Sequence, residues 1–553
     1  MNLMRRSLVW GCLFCVGVLG ASGCVSGIAS DDSLKYGTDS NAPGPYVPPC
    51  NGGCPTGFHC EFDACVADTQ PPVQTDGAER DPLASQRYVF ALEIAAKRLT
   101  RIDSATLEVA AFAAGLAPMD LAVIGSRETS VMLDANNLIE VLDHRQTPAT
   151  RATFVTARAL SHVVAAPDGL HALAYYDWDA TDSAKRQREP GNINQITVLA
   201  LEDQALPMAD EDLRAQNVAV GFLPRDIRFA SDGHRAVVIG RDSLTPVELL
   251  SMVDGIAAPG LVVPLPTEPA EVLLNPDATL AVLRFPMSPE LTVLPLDGGP
   301  SRCLVAAAMV NDIAWGPNGS LLVVTAGVTA MLSEVDVAVA VPECGSVPAG
   351  VGIGSATRLV VDPQHTWALA YVPELTCETL WRVELANLSV TALLLEKAVQ
   401  AAAFTGDGGY AFLSHMKAPG EPLWDPAQED PDASVDKSYG ISWLQLDTGA
   451  HRLAVSRTPF GQFTFVPAKA DGSDGATFVA VLDPGSPQLL RVAHRPGFDD
   501  GAIALAAMPL VMGYLASTER VFVTQEHPWG RVTFVDPAGR ELRHVTGYAM
   551  EVE

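Results

Sequence analysis

A turn signal that recurs along most of the chain constrains its fold more than any other feature of the sequence. Each copy is an apolar run, a corner and a second apolar run, as in Val163-Val164-Ala165, Pro167-Asp168-Gly169 and Ala172-Leu173-Ala174. The central corner residues are Asp168, Asp232, Asp277, Asn318, Gln364, Asp407 and Asp471, which are 64, 45, 41, 46, 43 and 64 residues apart. Weaker copies lie near Ser126 and Thr518. A period of this length indicates a repeat architecture.

A second corner alternates with the first, where an apolar run ends in aspartate. It occurs at Asp103, Asp143, Asp254, Asp297, Asp447 and Asp536. An aspartate side chain at such a corner accepts hydrogen bonds from nearby backbone N–H groups. The two corners together predict four short antiparallel strands in each period, two around each corner. The 45 glycines and 41 prolines of the chain suit such a turn-rich β protein.

Four strands in each period of this length are typical of a β-propeller blade. The segment 87–553 resembles the WD-repeat and YVTN-repeat propellers, although the regular Gly-His to Trp-Asp frame of WD repeats is missing. We therefore predict an all-β fold with a single propeller of about eight to ten blades. The run Arg87–Ala91 begins in mid-period, so we expect its inner strand to come from elsewhere, with the tail Tyr548–Glu553 as the candidate.

The N-terminus carries a targeting signal. Arg5 and Arg6 precede a short apolar run from Leu8 to Leu19, and Ala21-Ser22-Gly23-Cys24 follows it. This order resembles the signal of bacterial lipoproteins, which implies that 1–23 is a signal peptide and that Cys24 carries lipid. Residue 26 is Ser rather than Asp, and the resemblance to Gram-negative lipoproteins then implies the outer membrane. The alternative is ordinary cleavage near Gly23, which leaves an unmodified Cys24.

A cysteine-rich segment, 50–66, lies between a flexible tether at 24–49 and a linker at 67–86. Cys50, Cys54, Cys60 and Cys65 are separated by Gly- and Pro-rich sequence that cannot form a hydrophobic core. In an exported chain we expect two disulfides, for which three connectivities are open. The pattern resembles half of an epidermal-growth-factor-like module. A four-cysteine zinc site is the alternative, but no metal and no cofactor is predicted.

The charge of the chain limits its partners. It has 36 Lys and Arg against 65 Asp and Glu, a net charge of −29, so no basic surface is available for DNA or RNA. We expect a membrane contact through the N-terminal lipid and a protein or polysaccharide partner.

The two 64-residue intervals locate insertions at 177–192 and 417–437. Both are predicted between the second and third strands of their blades, on one face of the ring and about five blades apart. They supply the candidate ligand-binding residues Tyr176, Asp177, Trp178, Asp179, Trp424 and Asp425. Aromatic rings beside carboxylates suit a sugar, a cation or a peptide. The alternative is a solvated acidic loop with apolar side chains that fill space.

The sequence contains no catalytic motif of the metalloprotease, nucleophile-elbow, P-loop or dinucleotide type. His171, His234 and His365 each follow a corner, which indicates a role in the turn. Cys303 and Cys344 are one period apart and can pair if their Cα atoms lie within about 7 Å, which leaves Cys377 over. We predict a lipid-anchored, non-enzymatic binding or scaffold propeller. The alternative is a lactonase- or dehydrogenase-like propeller enzyme with its site at the central channel, since propeller catalysis draws on scattered loops.

Overall fold

A computed structural model describes residues 58–61, 64–67 and 81–549, with gaps at 146–147, 157–159, 178–192, 202–214, 252–253, 266, 338–343, 421–430, 458, 468–476, 483–488, 495–498 and 537–541. The described residues form ten sheets of four or five strands, a separate two-stranded hairpin and one short α-helix, Pro431–Asp436. The sheets are the blades of one propeller. The predicted all-β fold is confirmed, and the number of blades is at the upper end of the expected range.

The first three blades each use four consecutive strands. Blade 1 contains Leu83–Ala84, Tyr88–Glu93, Arg98–Asp103 and Val109–Ala113. Blade 2 contains Pro118–Ile124, Thr129–Asp134, Leu138–Asp143 and Thr150–Val155. Blade 3 contains His162–Ala165, His171–Tyr175, Gln195–Ala200 and Ala215–Ala219.

The next three blades include the two sheets that carry a fifth strand. Blade 4 contains Pro224–Phe229, Arg235–Gly240 and Ser243–Leu249, with Ala257–Pro259 and Val263–Pro264 both on its outer edge. Blade 5 contains Glu271–Leu274, Leu280–Arg284, Glu290–Pro295, Arg302–Val305 and Gly345–Ser346. Blade 6 contains Val310–Trp315, Leu321–Thr325, Met331–Val335 and Val351–Gly352.

The last four blades are again built from consecutive strands. Blade 7 contains Arg358–Val361, Trp367–Tyr371, Thr379–Glu384 and Ser389–Leu394. Blade 8 contains Val399–Phe404, Tyr410–His415, Tyr439–Gln445 and His451–Ser456. Blade 9 contains Phe460–Val466, Thr477–Leu482, Leu489–His494 and Asp499–Ala504. Blade 10 contains Pro509–Leu515, Arg520–Gln525, Arg531–Val535 and Leu542–Thr546.

The repeated corner connects the first and second strands of a blade, and its geometry explains its sequence. The described copies contain a residue with a left-handed backbone: Gly169, Gly233, Ala278, Gly319, His365 and Gly408 have φ between 52° and 74°, and Asn318 beside Gly319 has φ 56°. The preceding aspartate accepts the N–H of the residue two places on, as Asp168 does from Leu170 at 2.7 Å and Asp232 does from His234 at 3.0 Å. The weaker copies near Ser126 and Thr518 form the same turn in blades 2 and 10, with left-handed Glu128 and Glu519. The copy at Asp471 lies outside the described residues.

The hydrophobic core lies between the blades. Leu173, Ile196 and Val198 of blade 3 pack with Ile227 and Val238 of blade 4, all at most 6% exposed. The other clusters join neighbouring blades in the same way. Because a single sheet has two apolar faces, each blade needs a neighbour on both sides to bury them.

The ring closes by packing blade 10 directly against blade 1. Val89 and Ile102 of blade 1 form one buried cluster with Leu515, Phe522 and Phe534 of blade 10. Hydrogen bonds cross the same junction, between Ser104 Oγ and Thr518 Oγ1 at 2.8 Å and from Ser517 N–H to the Gln86 carbonyl at 3.0 Å.

The prediction that the C-terminal tail supplies the inner strand of blade 1 is wrong. That strand is Leu83–Ala84, which pairs with Val89 and Phe90 and lies within the predicted linker 67–86. Tyr548 and Ala549 instead form a turn after the last strand, where the Tyr548 carbonyl accepts a hydrogen bond from Arg98 Nη2 at 3.3 Å. A strand of two residues is too short to produce an alternating pattern in the sequence, and for this reason it could not be recognised.

A strand exchange joins blades 5 and 6. After the third strand of blade 6 the chain adds Gly345–Ser346 in parallel to the outer strand of blade 5, then returns to pair Val351–Gly352 with blade 6. Cys344, just before the exchanged strand, forms a disulfide with Cys303 on that outer strand, with the Cα atoms 4.4 Å apart. The expected pairing is thus present. Cys377 is a buried thiol whose sulfur lies 3.9 Å from Ser355 Oγ.

The cysteine-rich segment contributes the separate hairpin, Phe58–Glu61 with Ala64–Ala67, in which Cys60 and Cys65 are opposite each other. Cys24, Cys50 and Cys54 lie outside the described residues, so the expected lipid and disulfides remain predictions. Among the described helices none has the length and apolarity to cross a bilayer.

The disulfide is expected to stabilise the strand exchange. In the chain-entropy account, a cross-link across 41 residues is worth up to about 4 kcal/mol. We predict that Cys303→Ala/Cys344→Ala lowers the thermal midpoint by several degrees, measured by circular dichroism without reductant. Adding dithiothreitol should lower the midpoint of the native chain and leave that of the double variant nearly unchanged. Equal midpoints for native and double-variant chains would contradict this role.

Candidate functional site

The two faces of the ring are defined by the strand order. Strands alternate in direction, so the connections between second and third strands emerge at the same end as the connections between blades. We call this end the insertion face. The turns between first and second strands and between third and fourth strands lie on the opposite face. Both predicted insertions begin and end on the insertion face, one between Tyr175 and Gln195 in blade 3 and the other between His415 and Tyr439 in blade 8.

Blades 3 and 8 are five blades apart in a ring of ten, so the two insertions start from diametrically opposite points. The extra length of blade 3 has a second source that the spacing did not reveal. The third strand ends at Ala200 and the fourth begins at Ala215, so the connection that leaves and re-enters the blade on the opposite face is also long.

The structure separates the candidate ligand-binding residues of blade 3. Tyr176 is only 4% exposed, so its ring is packed inside the protein. Asp177 is partly exposed, and its N–H donates to Ser161 Oγ at 2.8 Å. Trp178, Asp179, Trp424 and Asp425 lie outside the described residues, so their proposed role in binding remains a prediction.

The insertion of blade 8 is attached to the ring by a buried lysine. Lys397, 2% exposed, precedes the inner strand of blade 8. Its Nζ donates to the carbonyls of Val435 at 2.8 Å and Asp436 at 3.1 Å, at the end of the helix Pro431–Asp436. Burial lowers the pKa of Lys397. The C-terminal end of this insertion is therefore fixed against the mouth of the channel.

Polar residues lie near the start of the inner strand, close to the insertion face, in six blades, and the sequence analysis missed them. Six consecutive blades place a titratable side chain directly before a buried apolar residue of the inner strand. These residues are Asp120, His162, Asp226, Glu271, Asp312 and Arg358 in blades 2 to 7. The signal that could have revealed them is aspartate before Leu or Ile in Met119-Asp120-Leu121, Arg225-Asp226-Ile227 and Asn311-Asp312-Ile313.

Two of these aspartates connect one blade to the next. Asp312 accepts the N–H of Ile313 at 3.1 Å with one oxygen and that of Leu359, in blade 7, at 2.8 Å with the other. Asp120 bonds in the same way to Leu121 and to Val163 in blade 3, both at 2.9 Å. Burial raises the pKa of Asp312. Both carboxylates thus hold inner strands together.

His162, in the inner strand of blade 3, contributes to the contact that Asp120 makes between blades 2 and 3. Its Nδ1 lies 2.6 Å from Asp120 Oδ2, and its ring meets that of Tyr175 edge to face. Tyr175 Oη donates to the Arg225 carbonyl of blade 4 at 3.3 Å, and burial raises the pKa of Tyr175. His162 and Tyr175 therefore extend the same blade-to-blade contact.

The other carboxylates near the channel mouth are paired with arginines. Asp226 lies 3.0 Å from Arg228 Nε, and Glu271 lies 2.9 Å from Arg284 Nε. Within the described residues no group of three or more His, Cys, Asp or Glu side chains converges on a metal-sized gap.

Histidine and serine do meet in two places, but inside the blades. His415 Nε2 lies 2.6 Å from Ser442 Oγ, and His144 Nε2 lies 2.9 Å from Ser130 Oγ. All four side chains are at most 4% exposed, and burial lowers the pKa of each histidine to about 4. These pairs hold neighbouring strands together, and a substrate cannot reach them.

The corner histidines lie on the opposite face. His171 Nδ1 is 2.6 Å from Asp168 Oδ2 in its own turn, and its Nε2 is 2.9 Å from the Leu250 carbonyl of blade 4. His365 occupies the left-handed position of its turn. The predicted role in turn geometry agrees with these contacts.

Comparison with known proteins gives similarity of fold alone. No protein-family model and no curated protein matches the sequence. Among solved structures, the C-terminal WD40 domain of Sif2 has a TM-score of 0.36 and 9% identity, over 69% of this chain and 96% of that one. The dihydro-heme d1 dehydrogenase NirN has a TM-score of 0.36 and 12% identity, over 70% and 78%. A eukaryotic initiation factor has a TM-score of 0.43 and 11% identity, over 79% and 91%.

The blade-connecting role of Asp312 can be tested by a change that keeps its shape. Asp312→Asn leaves one oxygen to accept a hydrogen bond and faces the second backbone N–H with an amide that cannot accept it. Loss of a buried hydrogen-bond partner costs about 1–3 kcal/mol, so we expect a clearly lower urea midpoint.

Asp232→Asn is the matched control, since Asp232 also accepts a backbone N–H but is exposed. Its midpoint should change little. A midpoint for Asp312→Asn equal to that of Asp232→Asn would contradict the assigned role.

Proposed function

We propose that this chain is a lipid-anchored cell-envelope protein whose propeller binds an envelope protein or polysaccharide at the insertion face without catalysing a reaction. The observation that carries the proposal is the placement of the two longest insertions of that face at opposite points of a ten-bladed ring. Loops placed on a rigid scaffold are the usual location of binding residues.

The polar groups at the channel mouth support binding rather than catalysis. The oxygens of Asp120 and Asp312 accept backbone N–H groups of the inner strands, and the arginines of blades 4 and 5 pair with Asp226 and Glu271. A general base needs a carboxylate or imidazole within reach of a substrate proton. Asp120 and Asp312 join the inner strands of neighbouring blades, and Asp226 and Glu271 are each paired with an arginine of their own blade.

The lipid anchor is tested by Cys24→Ala. Acyl chains contribute about 0.8 kcal/mol for each buried CH₂ group, and a chain with a net charge of −29 has no electrostatic attraction to anionic lipid. The variant should therefore move from the membrane pellet to the soluble fraction after cell lysis. Ser22→Ala, which keeps Cys24 and a small residue before it, should remain in the pellet. Retention of Cys24→Ala in the carbonate-washed membrane pellet would contradict the anchor.

Binding at the insertion face is tested by loop replacement. Residues 179–191 or 422–430 are each replaced by a short Gly-Ser linker, and binding to peptidoglycan sacculi, lipopolysaccharide and detergent-solubilised envelope proteins is compared with that of the native chain. The control replaces 203–213, between the third and fourth strands of blade 3. We expect both insertion-face variants to lose at least about tenfold in affinity for one of these fractions, while the control keeps it. Undiminished binding by both variants would overturn the proposal.

A further inference from the structure

Large apolar side chains are exposed on the insertion face and absent from the described turns of the opposite face. The exposed large apolar residues outside strands are Leu116, Phe222, Leu261, Val262, Met287, Met309, Val328 and Leu375. Leu261 and Val262 lie on the outer edge of blade 4. The other six all lie in connections of the insertion face. Single exposed apolar residues are common, but a random scatter would have placed them on both faces.

Five of the six form a continuous series over four neighbouring blades, which we call the apolar arc. Phe222 lies at the entry to blade 4, Met287 in blade 5, Met309 at the entry to blade 6, Val328 in blade 6 and Leu375 in blade 7. Val328 is fully exposed and Met287 is 79% exposed, so both project from the ends of their loops. Each of the four blades thus offers at least one apolar contact on the same face.

The loops that carry the apolar arc also carry more acidic than basic residues. The insertion-face connections of blades 4 to 7 contain Asp242, Glu268, Glu374, Glu378 and Glu396, against Arg241 and the buried Lys397. Two of these acids have partners within the chain, since Glu268 lies 2.7 Å from Arg225 and Glu396 lies 3.4 Å from His451. An anionic ligand would be repelled by this excess of acid, and so would an anionic lipid surface. A second copy of the chain would bring two acidic faces together. The complementary partner has apolar side chains and a positive charge.

We propose that the apolar arc binds a basic amphipathic segment of a partner protein. Its apolar side chains contact Phe222, Met287, Met309, Val328 and Leu375, and its Lys or Arg side chains face the surrounding carboxylates. This inference rests on the proposed function and names the partner class and the part of the insertion face that recognises it. Burial of the apolar side chains supplies the affinity, and the surrounding carboxylates favour basic partners over acidic ones.

The test uses a fluorescein-labelled amphipathic peptide of Leu and Lys as the probe, with binding measured by fluorescence anisotropy. Met287→Ser/Val328→Ser/Leu375→Ser removes three contacts of the arc at exposed positions. The matched control is Leu116→Ser/Leu261→Ser/Val262→Ser, which removes three exposed apolar side chains outside it. We expect the arc variant to bind the peptide at least about tenfold more weakly and the control less than about twofold more weakly. Unchanged thermal midpoints verify that both variants are folded.

Four results would overturn the inference. The first is equal weakening in the arc and control variants. The second is equal weakening of a Ser and Lys peptide of the same charge, which would show attraction by charge alone. The third is binding of the native chain to phosphatidylethanolamine vesicles that the arc variant loses. The fourth is a dimer seen by sedimentation that the arc variant loses.

The inference and the proposed function fail separately. If the arc variant keeps its affinity for the peptide while replacement of 179–191 or 422–430 still abolishes binding to an envelope fraction, only the inference is wrong. If neither loop replacement reduces that binding, the proposed function is wrong whatever the peptide shows.

Discussion

The interface between neighbouring blades is the contact on which the whole structure depends. At three of the junctions it includes the same hydrogen bond. A side chain at the start of the second strand reaches the carbonyl that follows the third strand of the next blade, as Arg127 does to Leu201 at 2.6 Å. His171 makes the equivalent contact with Leu250, and Arg520 of blade 10 makes it with Ser104 of blade 1. The closing junction thus has the contact found between blades 2 and 3 and between blades 3 and 4, and the ring closes without a shared blade.

Most of the fold follows from residues that a turn requires. A left-handed position favours Gly, and the aspartate before it accepts the N–H that the turn leaves unpaired. Turns with a left-handed residue, such as Pro167-Asp168-Gly169, therefore recur where a first and second strand meet, although residues other than Gly hold that position in four of the blades. The strand exchange could not be predicted, because Gly345–Ser346 has two residues and joins a blade other than its own. No local pattern records which sheet such a short strand joins.

The candidate site was predictable only in its position. Two intervals between corners are about 20 residues longer than the others, and the additional residues of a blade can lie only in the connections between its strands. This comparison located the insertions at 177–192 and 417–437. Which side chains become accessible depends on packing, and the burial of Tyr176 shows that an aromatic residue at the start of an insertion can belong to the core. Asp312 shows the converse. In the sequence it is one polar residue between others, and only the structure shows that it accepts the N–H of Leu359 in the inner strand of the next blade.

The same requirement explains why the two faces differ in chemistry. On the opposite face, the described turns between first and second strands contain a left-handed residue, which is Gly in four of them, and several contain an aspartate that accepts the N–H groups, so the choice of residue there is restricted. The connections of the insertion face share no single turn geometry, and most of their residues are free of that restriction. Val328 is exposed there, and the long insertions of blades 3 and 8 begin and end there without disturbing a strand. The exposed apolar residues outside the strands therefore lie mainly on the insertion face, while contacts such as those of His171 and Arg520 hold neighbouring blades together on the opposite face.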